Sequence, residues 1–186
     1  MRKIKLQMQM TVDGFVAGPN GELDWAIFNW DDALNNYVMA LTEPVDCILM
    51  GRVLAQGFIP HWTSALESPQ SDEDAFAHKM VETPKVVFSR TLESIDWAHT
   101  RLATQALAEE VREIKQQPGK DIIVYGGAGF VSGLVEANLI DEYHLFVNPV
   151  AIGNGMRVFT GPTPLKLVRS QAFDCGIVVN QYAPAG

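Results

Sequence analysis

Residues 4 to 12 alternate with a period of two. Ile4, Leu6, Met8, Met10 and Val12 point one way, and Lys5, Gln7, Gln9 and Thr11 the other. That spacing predicts a strand, closed by Asp13-Gly14. Farther on the period lengthens. Leu34, Val38 and Leu41, with Ala33 and Tyr37, predict a helix from about Asp31 to Leu41, capped by Asp31 and stopped by Glu43-Pro44. Val45 to Met50 is a continuous apolar run and reads as a buried strand ending at Gly51-Arg52. Residues 60 to 73, rich in Ser, Pro and acids, read as a surface loop. Phe76 and Met80 mark a short helix before Pro84, and Lys85 to Ser89 a third strand. Leu107, Val111 and Ile114 mark another helix, which ends near Pro118-Gly119. Ile122 to Tyr125 is the next strand, followed at helical spacing by Phe130, Val131, Leu134 and Val135, with Asn138 as the stop. Tyr143 to Val150 is a strand, followed by a turn at Gly153-Asn154-Gly155. Leu165 to Phe173 and Ile177 to Tyr182 pair around Asp174-Cys175-Gly176. Strands that alternate with helices and then continue without them predict an α/β sheet, parallel first and antiparallel at its end.

The length of 186 residues fits one domain spanning 1–186, and 47% apolar residues fit an ordinary core. A net charge of −8 and a pI near 4.9 argue against nucleic acid as a partner, because phosphate contacts need clustered Lys and Arg. No apolar run approaches the ~18 residues of a membrane span, and no continuous apolar segment follows the basic start as in a signal peptide. Cys47 and Cys175 read as two reduced, buried thiols of a cytoplasmic protein, with a single disulfide as the alternative. His61, His78, His99 and His144 lack the spacing of metal ligands, so no metal site is expected. His61-Trp62 reads as surface.

The chemistry concentrates at the ends of the parallel strands, where ligands of open α/β sheets bind. Gly126-Gly127-Ala128-Gly129 stands between a buried strand and a helix. Glycines there let backbone approach a ligand, and the helix start aims free N–H groups at an anion. A nucleotide pyrophosphate and a plain strand-to-helix turn are the two readings. The run falls short of G-x-G-x-x-G and lies too late in the chain for a first-strand dinucleotide fingerprint.

Several segments together resemble the dihydrofolate reductase fold. More closely, they resemble the C-terminal reductase domain of the bifunctional riboflavin-biosynthesis deaminase–reductase and its stand-alone bacterial relatives. They are Thr11-Val12-Asp13-Gly14-Phe15-Val16-Ala17, Gly21-Glu22-Leu23-Asp24-Trp25, Ile48-Leu49-Met50-Gly51-Arg52, Val86-Val87-Phe88-Ser89-Arg90-Thr91-Leu92, Tyr125-Gly126-Gly127-Ala128-Gly129, Ile140-Asp141-Glu142-Tyr143 and Pro149 to Gly155. They occur in the family's order over most of the chain. The resemblance implies a mixed, mostly parallel central sheet flanked by helices, with an antiparallel C-terminal hairpin. It also implies an NADPH-dependent reductase of a small molecule, acting on a pterin or aminopyrimidine-type ring, and a homodimer contact through the C-terminal strands.

On that reading Gly126, Gly127, Ala128, Gly129 and Phe130 hold the pyrophosphate, with Tyr125 before them and Gly51 and Ala17 beside them. Arg52 donates to phosphate oxygens. Ser89, Arg90 and Thr91 suit a ribose 2′-phosphate, although Arg90 also reads as a solvated strand-end charge. Asp13 and Asp24 on the first loop are the candidates to bind the ring or orient a proton-donating water, with Thr11 and Phe15 beside them. Trp25 and Trp30 either stack on a flat ring or pin the loop to the core. Asp31 reads as a helix cap. The chain departs from the family pattern at Leu54, where a Thr usually stands two residues past the Arg, and it carries no deaminase domain. A nucleotide-binding relative without turnover, or a flavin binder using the same turn, are the alternatives.

Overall fold

The computed structural model describes residues 1–67 and 74–186. Strand β1 (Ile4–Thr11) lies at the centre of an eight-stranded sheet. Helix α1 (Asp32–Thr42), strand β2 (Val45–Gly51), and helices α2 (Arg52–Glu67) and α3 (Asp74–Glu82) follow. Then come β3 (Lys85–Phe88), β4 (Thr100–Leu102), α4 (Leu107–Gln116), β5 (Asp121–Val124), α5 (Ala128–Glu136) and β6 (Glu142–Asn148). The chain closes with β7 (Leu165–Ala172) and β8 (Val178–Pro184). The strand order is β4-β3-β2-β5-β1-β6-β8-β7. The first six are mutually parallel, and β8 runs antiparallel to both β6 and β7. This is the dihydrofolate reductase-like arrangement expected, with the antiparallel hairpin at one edge.

The alternation of β1 sorts two buried layers rather than core from solvent. Ile4, Leu6, Met8 and Met10 pack in the cluster that holds Val111 and Ile114 of α4 and Val131 and Leu134 of α5. Lys5 and Gln7 on the other face are also buried, beneath α1. Central parallel strands are covered on both faces, so each polar group there needs a partner. Lys5 Nζ meets Asp121 Oδ2 at 2.8 Å. Lys3 Nζ meets Glu142 Oε1 at 2.7 Å. His144, which lies opposite Gln7, shares a hydrogen bond of 2.6 Å between its Nδ1 and the Tyr37 hydroxyl.

That neighbourhood makes stability depend on pH. Burial holds the His144 pKa below its ordinary 6.5, against the opposing pull of Glu142, and Lys5 adds to the depression. The unfolded chain therefore binds this proton first as the medium turns acid. The contribution is fully present above pH 6.5 and is lost as pH falls through the lower folded value. Urea midpoints should drop between roughly pH 7.5 and 5.5 in the native protein. They should drop less in His144→Gln. Parallel declines in the two proteins would assign the acid sensitivity to other groups.

Three sequence expectations need correction, and one strand, β4, was not expected. Val12 is 65% exposed, because β1 ends at Thr11, where Gly14 N–H turns back to its carbonyl at 3.0 Å. Residues 60 to 67 are helix, not loop; 68–73 lie outside the described residues. Leu54, Ala55, Phe58, Ile59 and Trp62 recur at helical spacing and pack on one cluster. Pro60 removes a single backbone donor on an exposed face of the helix. The short edge strand β4 carries too few residues to show a period. Both cysteines are free, but only Cys47 is buried, its thiol pushed up to about 11 by burial; Cys175 is half-buried. Asp31 caps α1 as expected, accepting from Leu34 N–H with one oxygen and from Cys175 N–H with the other.

Candidate active site

At the carboxyl ends of the parallel strands, β2 and β5 pinch together. Gly51 N–H points to Gly126 O at 3.4 Å. A Cβ on Gly127 would stand 3.3 Å from Gly51 Cα, and one on Gly51 would stand 3.1 Å from Phe130 Cβ. Gly127 has φ +87° and is the N-cap of α5, with no side chain serving the free N–H groups of the first turn. Space above Gly129 is open. Helix α2 starts at Arg52, immediately after Gly51, so two helix N-termini flank the pinch. Their dipoles and unpaired N–H groups favour an anion between them. These residues fit a dinucleotide diphosphate.

The neighbouring candidates differ in how free they are. Arg52 lies along its own helix, donating to Gln56 Oε1 at 3.1 Å. Ser89 Oγ accepts from Thr91 N–H at 3.1 Å and Leu92 N–H at 2.9 Å, so this hydroxyl shapes its own turn. Arg90 and Thr91 are exposed at the same edge. Phe130 stacks on Phe88 at 4.8 Å, which ties α5 to the end of β3. Tyr125 stacks on Phe58 of α2 at 5.3 Å. Leu54 packs near Gly126.

The first loop is locked at both ends. Thr11 Oγ donates to Asp13 Oδ1 at 2.6 Å and accepts from Phe15 N–H at 2.9 Å. Asp13 Oδ1 also accepts from Ile152 N–H at 3.3 Å, and its Oδ2 from Gly153 N–H at 2.7 Å. The Thr11 hydroxyl, with those amides, holds the Asp13 carboxyl below the usual carboxylate range. Ala17 O accepts from Met156 N–H at 2.8 Å, and Phe15 is buried under the Arg157 guanidinium at 4.0 Å. Asp13, Phe15 and Ala17 therefore join the loop to residues 152–157. Trp25 Nε1 donates to Glu22 O, and Trp30 Nε1 to Ile27 O. Trp30 packs 6.0 Å from Phe146, which pins the loop to the core. Asp24 is exposed.

Sequence reasoning missed Asn148. Its side chain is fully buried at the end of β6. Oδ1 accepts from Ile27 N–H at 2.8 Å; Nδ2 donates to Gln9 Oε1 at 2.8 Å and Phe146 O at 3.1 Å. A buried amide at a strand end was the available signal. Two cavities, of about 260 Å³ beside Glu136 and Tyr143 and about 310 Å³ beside Lys79 and Lys120, lie at the opposite, amino-terminal edge of the sheet. Among the described residues no His, Cys, Asp and Glu group is placed to hold a metal, and no helix is long and apolar enough to cross a membrane.

Comparison with known proteins shows the family and the fold. The family model of the RibD C-terminal domain matches residues 2–179. The uncharacterized protein YyaP of Bacillus subtilis (strain 168) is 34% identical over 97% of this chain and 94% of its own. A solved protein of Shewanella sp. PV-4, named "Putative riboflavin biosynthesis protein", superposes with a TM-score of 0.72 at 19% identity, covering 100% of both chains. Dihydrofolate reductase from Enterococcus faecalis, solved with NADP(H), superposes at 0.63 and 10% identity over 99% of this chain and 97% of that one. The two structures are similar in fold.

Proposed function

Since the chain belongs to the RibD C-terminal domain family, we propose that it is an NADPH-dependent reductase of a pterin or aminopyrimidine-type substrate. The observation that carries this reading is the pair of helix N-termini around the Gly51–Gly127 pinch. Bound there, NADPH supplies a hydride to a C=N or C=O carbon, and the protein supplies position and electrostatics. The starts of α2 and α5 bind the diphosphate. Arg52 donates to its oxygens once its contact with Gln56 is exchanged, and Arg90 meets the 2′-phosphate. Asp13 positions the first loop, its carboxylate already accepting from Thr11, Ile152 and Gly153. The same reading makes the protein a cytoplasmic homodimer, with a second copy against β7, where Leu167 and Val168 are more than half exposed.

Tryptophan fluorescence tests it. Trp25 and Trp30 lie on the loop beside the site, so NADPH should quench their emission saturably. A charge-assisted contact contributes about 1.5–3 kcal/mol, so NADPH should bind roughly 10- to 100-fold tighter than NADH. Arg90→Gln should bring that ratio near one while leaving NADH affinity alone. Equal affinity for both nucleotides in the native protein would sink the reading of Arg90. No binding of either would sink the reductase site. Leu54, in place of the family's Thr, favours a second reading, a nucleotide binder without turnover. NADPH held but never oxidised with either ring class would support it.

A further inference from the structure

The pairing of β1 with β5 runs Ile4 to Ile122, Lys5 to Ile123 and Leu6 to Val124. The last pair is Leu6–Val124, at the end of β5; the same register carried one step past it would set Gln7 opposite Tyr125, two residues before Gly127. Residues opposite one another share a face of the sheet. This is the face covered by α1 and α2, since Gln7 also lies opposite His144, the partner of Tyr37, and Tyr125 stacks on Phe58. Gln7 is 8% exposed. Its Oε1 and the Tyr125 hydroxyl are both buried, and neither has a hydrogen-bond partner within the protein. Folded proteins leave few such atoms, and each calls for an explanation. Here one stands on β1 and the other directly after the end of the adjacent β5, just before the cofactor turn. Their chemistry is complementary: the amide oxygen accepts, and the phenol, kept protonated by burial, donates.

We propose that Gln7 and Tyr125 are the specificity-determining pair of this site, reading the adjacent N–H and C=O of a lactam edge on the substrate ring. The proposal rests on the reductase reading and moves recognition from the first loop to the sheet. The loop acids do not serve it, because both Asp13 oxygens are occupied and Asp24 faces solvent. A site built to pair with a ring N–H rejects the analogue that lacks it, because its own acceptor is left unpaired on binding.

Calorimetric titration of the full chain with 5,6-diaminouracil and with 5,6-diamino-1,3-dimethyluracil tests the pair, since methylation removes the ring N–H groups. The native protein should prefer the unmethylated probe by about tenfold or more. Tyr125→Phe and Gln7→Met should each bring the ratio toward one. Tyr125→Phe removes an unpartnered hydroxyl, so its unfolding temperature should not fall, and a lost preference then reports recognition rather than misfolding. Equal binding of the two probes by the native protein, binding of neither, or an unchanged ratio in both variants overturns the proposal. Failure of NADPH to bind is read in the separate fluorescence titration and counts against the reductase reading, while the probe ratio still reports on the pair.

Discussion

Gly127→Ala should unfold at a temperature roughly 6–12 °C lower than native and lose NADPH binding, whereas Gly129→Ala should melt slightly higher and still bind NADPH at least about tenfold more weakly. The contrast follows from geometry two residues apart. At Gly127 φ is +87°, and a Cβ would meet Gly51 Cα at 3.3 Å and Gly51 N at 3.4 Å. Both are backbone atoms of a buried strand and cannot swing aside. Left-handed strain of about 1–2 kcal/mol adds to an overpacking cost of similar size. Gly129 sits inside the first turn of α5 with nothing near its missing Cβ. Alanine there gains up to about 1 kcal/mol of helix propensity. Its methyl group stands over the N–H groups that a phosphate would approach. Differential scanning calorimetry and NADPH titration on both variants measure the four quantities. If Gly129→Ala binds NADPH like the native protein, the start of α5 is not the phosphate site, even though Gly127 remains necessary to the fold.

The second large effect is expected at Asn148. Asn148→Ala strips partners from Ile27 N–H, Gln9 Oε1 and Phe146 O and should destabilise by about 3 kcal/mol. Asn148→Asp should be worse, although it is nearly isosteric. The carboxylate keeps the Ile27 bond but turns a second, charged oxygen toward the Phe146 carbonyl, an acceptor that cannot satisfy it, and Gln9 must turn its amide over to donate. Urea unfolding at neutral pH orders the three proteins; an Asp variant more stable than the Ala variant would show that the amide does not lock the loop. Because Asn148 ties Ile27 to β6, release of the loop should also speed its proteolysis between residues 12 and 31. With any accepted substrate it should lower turnover by roughly 10- to 100-fold through lost positioning.

Most of the framework was legible along the chain. Ile4 to Met10 marks a strand and Leu34, Val38 and Leu41 a helix because side-chain period follows from local backbone geometry. The Asp31 cap was legible for the same reason: its acceptor lies three residues from its donor. Helix α2 was hidden by Pro60 and by the acidic, serine-rich tail after it. Its apolar stripe, Leu54-Ala55-Phe58-Ile59-Trp62, was nonetheless present. Lys5 and Gln7 read as the polar side of a half-exposed strand, yet they lie under α1, because burial of the second face depends on what packs there.

By itself the sequence determined the strand and helix periods, the glycines that a sharp strand-to-helix turn needs, and the order of motifs that marks the family. Each of these is written within a few residues. Only the tertiary structure decided which polar groups are free to act. Asp13 is occupied by Ile152 and Gly153, and Asn148 holds a loop anchored 121 residues earlier. Such pairings depend on the register of strands distant in the chain. That register is set by the packing of whole layers, and no local pattern encodes it.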